Sequence, residues 1–249
     1  MEILIYIIIF IIGAFIGSFA SLATYRIPIK QDILIKHSYC PVCKEKLVLK
    51  DLIPIFSYIF LRGKCSHCGE KIKIRYLVLE VVSGILFLLF ILSLNIDFIN
   101  INLQDIIFLL FITIFFVTLV IVAGIDKETK KINSSVILFS LVIVALYNMF
   151  MFYLNVEGMY TFVVVSVAII LYVINLYCVK NEKNNYIINF IILMLISKVL
   201  ANCYIILFAL VLTAITLILH KRFAKSQPPM ACYYIIYFIS IFIGCNFII

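Results

Sequence analysis

The sequence predicts an all-α polytopic membrane protein with about eight transmembrane helices and a small, zinc-ribbon-like cytoplasmic loop between the first two. Of its 249 residues, 66% are hydrophobic and only 13% are charged, whereas soluble domains are about 45–50% apolar and about 25% charged. Runs of about 20 apolar residues recur along the chain, and each is long enough to cross about 30 Å of hydrocarbon. Such solid runs exclude a β-barrel, whose strands alternate apolar and polar residues.

The apolar runs place the helices, and the charges between them predict the topology. All of the 20 Lys and Arg residues except Lys198 fall in segments that this helix order puts on one side of the membrane. Because cytoplasmic loops are enriched in basic residues, we expect that side to be the cytoplasm and the N-terminus to be outside. The predicted helices are 3–22, 76–95, 105–124, 135–154, 160–178, 186–199, 203–219 and 232–249.

Two of these segments, the first apolar run and residues 186–219, have features beyond apolar length that bear on the topology. The first run lacks a basic start and exceeds the usual apolar core of a signal peptide, so we expect a retained helix. The segment 186–219 is expected to be a tight hairpin of two short helices, because basic residues at both of its ends lie on the cytoplasmic side. The chain then divides into a first helix (1–22), a cytoplasmic tetracysteine domain (23–75) and a membrane domain (76–249).

The net charge of +8 has a topological explanation in this arrangement. Basic residues that orient membrane helices account for it, so membrane lipid is the expected partner and no nucleic-acid partner is expected. One further apolar stretch, Leu52 to Leu61, is too short to span the bilayer. It could lie along the membrane surface or pack against the hairpins that carry the cysteines.

Four cysteines in this loop form two C-x2-C motifs, the pattern of a metal knuckle in which two thiolates approach one ion. Their spacing is close to that of a zinc ribbon, which predicts a structural zinc site, with iron as the alternative metal. A disulfide framework is disfavoured in a cytosolic loop, and redox chemistry would not need two pairs. Gly69 follows the second pair, where a knuckle needs positive φ. The predicted ligands are Cys40, Cys43, Cys65 and Cys68.

Other residues near the motifs have simpler interpretations. Lys44, Lys64 and Lys71 can offset the charge of four thiolates, and four thiolates complete a site without His37 or His67. The remaining cysteines lie in or beside helices with no ligand spacing, so we expect small apolar fillers. They are Cys178, Cys203, Cys232 and Cys245.

Few acidic residues are available for catalysis within or beside the membrane, where ionisable groups are costly and usually functional. Asp126 stands out at the cytoplasmic end of the third predicted helix; the alternative is an interfacial loop acid paired with Lys130 or Lys131. Glu80 is expected to be structural, pairing with a nearby arginine, Arg75 or Arg26. Glu128 and Glu182 fall in cytoplasmic loops, where solvation is the default.

Two stretches of the chain carry a family resemblance: GSFASLATYRIP (17–28), and CPVC with LIPIFSYIFLRGKCSHCGEKIKIRYLVLE in the loop (40–80). They resemble the opening motif and the cysteine-bearing loop of the type IV prepilin peptidases, the bifunctional leader peptidase and N-methyltransferase family. The resemblance implies a membrane aspartic endopeptidase that removes the basic leader of type IV prepilins or pseudopilins at the cytoplasmic face of the bacterial cell membrane. It also implies N-methylation of the new N-terminus with S-adenosylmethionine, for which the chain shows no glycine-rich binding motif.

The family's two catalytic aspartates lie in Asp-x6-Pro-Asp and Gly-x-Gly-Asp motifs. Asp126 matches the first aspartate, although Asn133 and Ser134 replace Pro-Asp, and no Asp follows Asp126. Two carboxylates that share one proton take opposite roles, one accepting a proton from water and the other protonating the scissile carbonyl. Glu182 is the candidate surrogate for the second, while an exposed Glu beside Lys183 is the alternative. QPPMACYYI (227–235) is faintly similar to the family's Pro-Phe-Gly-Pro-Phe segment.

Three functions therefore remain open at the level of sequence. The first is a working prepilin peptidase that uses Asp126 with an atypical partner. The second is a relative without proteolytic activity that binds pilin-type helices or only methylates them, which the missing aspartate favours. The third, a transporter or lipid-binding scaffold, predicts ionisable or broken helices near the bilayer midplane, and the sequence shows almost none.

Overall fold

The computed structural model describes residues 2–33, 37–40, 42–98, 100–154, 159–178, 182–198, 203–223 and 228–248. Within these ranges the regular elements are helices, apart from two isolated β-bridges in the loop between the first two long helices. The prediction of an all-α chain with a tetracysteine loop after the first helix is therefore confirmed.

The described part of the chain contains eight long helices and one short one, which lies in the loop. The helices are α1 Glu2–Arg26, α2 Phe56–Phe60, α3 Arg75–Leu92, α4 Leu103–Thr129, α5 Ser134–Tyr153, α6 Met159–Cys178, α7 Glu182–Ser197, α8 Cys203–Phe223 and α9 Met230–Ile248. A 3-10 turn, Leu49–Leu52, precedes the short helix α2. Four helices, α1, α3, α4 and α5, are long and apolar enough to cross a membrane; the described apolar parts of the other four long helices are shorter.

The chain packs as two units, residues 1–95 and 96–249. The first contains α1, the loop and α3; the second contains α4 to α9. This division differs from the functional one predicted from the sequence (1–22, 23–75, 76–249), because α3 packs on α1 and therefore belongs to the first unit. The functional division stays a prediction.

Small residues allow α1 and α3 to approach closely in the first unit. A Cβ atom added at Gly13 would lie 2.7 Å from the Cβ of Phe87, and one added at Gly17 would lie 2.6 Å from the Cβ of Ser83. The Ser83 hydroxyl also donates to the carbonyl of Gly13 at 2.9 Å. Gly13 and Gly17 form a G-x-x-x-G pair, the spacing that brings membrane helices into backbone contact.

In the second unit, α4 packs on α5 and α9, α5 packs on α6 and α7, α6 packs on α7, and α8 packs on α9. Fully buried side chains on four of these helices, among them Phe115, Ile137, Leu193 and Tyr234, form the core. Among the described residues, α7 packs mainly on α5 and α6. The turn that would join α7 to α8, residues 199–202, lies outside the described residues, so the tight hairpin of these two helices stays a prediction.

Substituting Gly17 by alanine tests the close packing of α1 on α3. The added methyl group would meet Ser83 and the carbonyl of Leu79, so we expect Gly17→Ala to destabilise the protein by about 1–3 kcal/mol. The control is Gly244→Ala, because nothing lies within 4 Å of a Cβ atom there and alanine favours helix by up to about 1 kcal/mol. The readout is the temperature of half-loss of monodisperse protein in detergent; equal effects of the two substitutions would contradict the packing described.

Candidate functional site

Each cysteine pair lies in a tight turn with the same backbone hydrogen bonds. In the first turn the N–H of Cys40 donates to the carbonyl of Glu45 at 3.0 Å, and the N–H of Lys44 donates to the carbonyl of Cys40 at 2.9 Å. The second turn repeats both bonds, five and four residues after Cys65, at 2.8 and 3.0 Å. Because the turns are equivalent, each can present two thiolates to one ion.

The fourth residue after the first cysteine has positive φ in both turns. Gly69 has a φ of 71°, as the sequence predicts, and Lys44 occupies the equivalent place with a φ of 61°. A side chain in this left-handed region costs about 1–2 kcal/mol, so the first turn is strained where the second is not. Lys44 therefore has a backbone role in addition to the counter-charge role inferred from the sequence.

The four sulfur atoms form one cluster. All of them lie within 4.8 Å of one another, and the Sγ atoms of Cys40 and Cys68 are 3.9 Å apart. A tetrahedral zinc site with Zn–S bonds of about 2.3 Å puts its sulfurs about 3.8 Å apart, so a small inward movement would complete the coordination. Neither His37 nor His67 belongs to the cluster.

The backbone of each turn favours ionised sulfur at the first cysteine. Backbone N–H groups of Cys43 and Val42 point at the sulfur of Cys40 and lower the pKa of this thiol to about 7. The N–H groups of Cys68 and His67 lower the pKa of the Cys65 thiol in the same way. Since only thiolates bind metal, these donors prepare the buried cysteine of each pair for coordination. At Cys43 the N–H of Glu45 acts in the same direction, but burial and the neighbouring sulfurs outweigh it and raise the pKa of this thiol to about 11. The donor set fits a structural zinc or iron ion, which would replace the hydrophobic core that this loop lacks.

Asp126 lies in the last turn of α4 and is fully buried, at 0% exposure. It is not the exposed loop acid considered from the sequence, because α4 continues to Thr129 and ends at Lys130, whose φ is 57°. Its Oδ1 accepts the hydroxyl of Tyr186 at 2.9 Å, and its Oδ2 accepts the backbone N–H of Cys232 at 2.9 Å. The carboxylate thus connects α4 with α7 and α9.

The contact with Cys232 places Asp126 at the beginning of α9. The first N–H groups of a helix lack partners within the helix, and the helix dipole favours a negative charge there. The hydroxyl of Tyr186 completes the junction by accepting the N–H of Ala231 at 3.2 Å. The segment 227–235, faintly similar to the family's Pro-Phe-Gly-Pro-Phe motif, contains this helix start.

Tyr186 is the member of the junction that sequence reasoning missed. It lies four residues into α7, and its phenol is the side-chain hydroxyl that donates to Asp126, at 2.9 Å. The sequence shows only a tyrosine near the start of α7. A tyrosine alone does not indicate that its partner is Asp126, 60 residues earlier in the chain. Asp126 and Tyr186 together can hold and move one proton between a carboxylate and a phenol.

Three asparagines hold α7 in place beside this junction. The Nδ2 of Asn189 donates to the Oδ1 of Asn185 at 2.7 Å and to the Oγ of Ser134 at 3.2 Å, and the Nδ2 of Asn175 donates to the Oδ1 of Asn189 at 3.0 Å. Ser134 stands where the family motif has its second acid, so here that position supports α7 through a neutral hydrogen bond. The network joins α5, α6 and α7 and fixes the helix that carries Tyr186.

Glu182 begins α7, one helical turn before Tyr186. Its side chain and that of Asn184 lie outside the described residues, so the role of Glu182 as the surrogate acid stays a prediction. The side chains of Cys178 and Cys203 also lie outside them. Cys232, in contrast, is buried and contributes its backbone N–H to the junction.

Residues 11–94 match the family model of the bacterial peptidase A24 N-terminal domain. The chain is 42% identical over 80 residues to the prepilin leader peptidase/N-methyltransferase of Bacillus subtilis (strain 168), covering 32% of each chain. It is 38% identical over 86 residues to the protein of that name from Vibrio cholerae, covering 31% of this chain and 34% of the relative. For the Myxococcus xanthus relative the identity is 37% over 78 residues, covering 31% of this chain and 23% of the relative.

The family model falls within the first unit, and the chain spans about a third or less of the length of these relatives. No solved structure matches the chain. The resemblance inferred from the opening motif and the cysteine loop is therefore confirmed for the part of the chain that carries those motifs. The segment with Asp126 and Tyr186 lies beyond residue 94, where the family model ends.

Metal content tests the tetracysteine cluster directly. We expect the purified protein to contain about one equivalent of zinc or iron per chain, because four thiolates complete one tetrahedral site. Cys65→Ser should lose most of that metal, while Cys245→Ser, which changes a cysteine outside the cluster, should keep it. Elemental analysis by mass spectrometry measures both; less than about half an equivalent in the wild-type protein would count against the site.

The strain at Lys44 gives a second expectation for this loop. Replacing Lys44 by glycine removes the left-handed penalty at a cost in chain entropy, so we expect the metal-bound loop to gain about 0.5–1 kcal/mol. The measurement is the chelator concentration that removes half of the metal, which should rise. Lys46→Gly is the matched control, because Lys46 lies in a bridge with Tyr39 and lacks positive φ. A lower midpoint for Lys44→Gly than for the wild type would refute the argument.

Proposed function

We propose that the protein is a membrane aspartic endopeptidase that removes prepilin leaders, because residues 11–94 match the bacterial peptidase A24 N-terminal domain. Its substrates are type IV prepilins or pseudopilins, cleaved at the cytoplasmic face of the bacterial cell membrane. The observation that carries the proposal is Asp126, a fully buried carboxylate with a proton donor 2.9 Å away. Buried ionisable groups near the end of a membrane helix are costly and are usually kept for function.

In this proposal Asp126 is the general base. It accepts a proton from water as the water oxygen bonds to the scissile carbonyl carbon, and a second group supplies a proton to the leaving nitrogen as the carbon–nitrogen bond breaks. Tyr186 or Glu182 provides that second group. The phenol is supported by its distance to Asp126, and Glu182 is supported by its chemistry as a carboxylic acid one helical turn before Tyr186 in α7.

Water must reach Asp126 for this chemistry, although both of its oxygens accept hydrogen bonds from other helices. A substrate that binds at the start of α9 would compete for the same N–H groups and free one oxygen. The phenol could then turn from the carboxylate towards the substrate. Such a rearrangement accounts for a buried base in a hydrolase.

The remaining parts of the proposal rest on the relatives' names and on the first unit. N-methylation of the new N-terminus would use S-adenosylmethionine, to which no residue of this chain is assigned. Zinc would be structural, held by Cys40, Cys43, Cys65 and Cys68. The N-terminus would lie outside the cell, the tetracysteine loop would lie in the cytoplasm, and the partners would be the prepilin and membrane lipid.

The second candidate is a relative without proteolytic activity that binds or only methylates pilin-type substrates. It is favoured by the absence of any Asp after Asp126 and by the junction itself. A carboxylate held by the first N–H groups of α9 and by a phenol has a sufficient structural role without catalysis. The two candidates differ in whether the leader is removed.

Leader removal in cells tests the proposal. When the chain is co-expressed with a prepilin from its own cell, we expect the wild type to release the leader. We expect Asp126→Asn to reduce release by about 100-fold or more, because general acid–base groups contribute about 10²–10⁴ in rate. Tyr186→Phe and Glu182→Gln show which group is the proton donor. Measurement of the N-terminal mass of the pilin reports cleavage and methylation together.

The control variant is Asp97→Asn, which changes an acid at the start of the second unit that accepts the side-chain amide of Asn100 at 2.8 Å. Asparagine keeps an acceptor oxygen at position 126, and the monodispersity of each variant shows whether the junction still folds. Cleavage that survives Asp126→Asn would disprove the site assignment. An intact leader bound to folded wild-type protein would favour the second candidate.

A further inference from the structure

The loop between α1 and α3 contains an apolar segment, Ile53–Phe60, that is too short to span a membrane. Its first four residues share a small cavity with residues from the middle of α1, not with the end of that helix nearest the loop. The cavity is lined by Phe10, Ile11, Ala14 and Phe15 of α1 and by Ile53, Pro54, Ile55 and Phe56. The chain therefore turns back along α1 after leaving it.

The position of the segment along α3 gives its depth. Glu80 accepts the N–H of Ile55 and lies five residues after Arg75, the first residue of α3, which is about 8 Å at 1.5 Å per residue. Half of a hydrocarbon core of about 30 Å is about 15 Å, so with Arg75 at the membrane surface the turn lies inside one leaflet. On α1 the contact at Ala14 lies twelve residues, or about 18 Å, before Arg26, so the last turns of α1 extend beyond the hydrocarbon.

A turn at this depth must satisfy its own backbone, because no water is available there. The N–H of Ile55 donates to the Oε2 of Glu80 at 2.7 Å. The N–H groups of Phe56 and Ser57 donate to the carbonyls of Pro54 and Ile53 at 2.6 and 3.0 Å, and Pro54 has no N–H. This arrangement explains why α3 carries a glutamate at this depth.

The outer face of the segment is apolar. Ile59 is 59% exposed and Phe60 is 80% exposed, and Phe56 is half-exposed. This face continues the exposed apolar surface of α1, which includes Ile11 and Phe15 beside the shared cavity. On its other side α2 is attached to the second cysteine turn, since the hydroxyl of Tyr58 donates to the carbonyl of Ile72.

We propose that Ile53–Phe60 is a re-entrant membrane segment, whose exposed Phe56, Ile59 and Phe60 contact the acyl chains of the leaflet adjoining the tetracysteine loop. The sequence suggested two places for this stretch, the membrane surface and the cysteine-held hairpins. The geometry adds a third, because the turn lies within the leaflet against α1 while α2 leads back to the hairpin. The segment anchors the metal-binding loop to the bilayer independently of peptidase activity.

Tryptophan fluorescence can test this insertion, because the chain has no Trp. The test variant is Ile59→Trp, and the matched control is Val42→Trp in the first cysteine turn, since these side chains are 59% and 60% exposed. Both proteins are reconstituted in vesicles of phosphatidylcholine and phosphatidylglycerol with or without brominated acyl chains. Iodide in the buffer quenches tryptophans that are in contact with water.

We expect the tryptophan at position 59 to lose roughly half of its emission to brominated lipid and little to iodide, because it lies within hydrocarbon. The tryptophan at position 42 should show the reverse. In the background of Glu80→Leu, which removes the acceptor for Ile55, iodide quenching at position 59 should rise about twofold or more. An unchanged metal content shows that the loop remains folded. Iodide quenching at position 59 equal to that at position 42, without quenching by bromine, would overturn the proposal.

Discussion

The second unit depends on one buried carboxylate. Asp126 is fully buried near the end of α4, where an unpaired charge would cost several kcal/mol. The start of α9 has the opposite problem, because its first N–H groups lack acceptors. The N–H of Cys232 donates to Asp126, so the carboxylate and the start of α9 satisfy each other. The hydroxyl of Tyr186 also donates to Asp126 and accepts the N–H of Ala231. The beginning of α9 and the position of α7 follow from this one interaction.

The same interaction determines what the site can do. Both oxygens of this carboxylate accept a hydrogen bond, so it can accept a proton from water only after one donor leaves. The phenol of Tyr186 is the donor that can move by side-chain rotation, whereas the N–H of Cys232 belongs to a helix. The asparagine network around Asn189 holds α7 while such a rotation occurs. The side chains that hold the helices together, Asp126 and Tyr186, are therefore the ones that the proposed chemistry uses.

The helices and both cysteine turns could be predicted because their signals are local in the sequence. Apolar runs, basic residues and C-x2-C motifs identify them without knowledge of distant partners. The prediction for Glu80 shows where local reasoning ends: its pairing with a nearby arginine stays a prediction, whereas the structure shows that it accepts the N–H of Ile55. Tyr186 and the close packing at Gly17 share this difficulty, since their partners come from other helices. The end of α4 was placed too early because the helix continues through charged residues after Asp126.

The match to the bacterial peptidase A24 N-terminal domain lies in the first unit, and the proposed chemistry rests on residues of the second, so the decisive measurement concerns the hydrolysed bond. Purified wild-type protein in bilayers is incubated with a full-length prepilin in water labelled with heavy oxygen, beside Asp126→Asn. Peptide hydrolysis by an Asp126-activated water predicts one heavy oxygen in the new carboxyl group of the leader with the wild type, and no released leader with the variant. An intact prepilin with the folded wild type, or labelled leader from Asp126→Asn, would contradict the account.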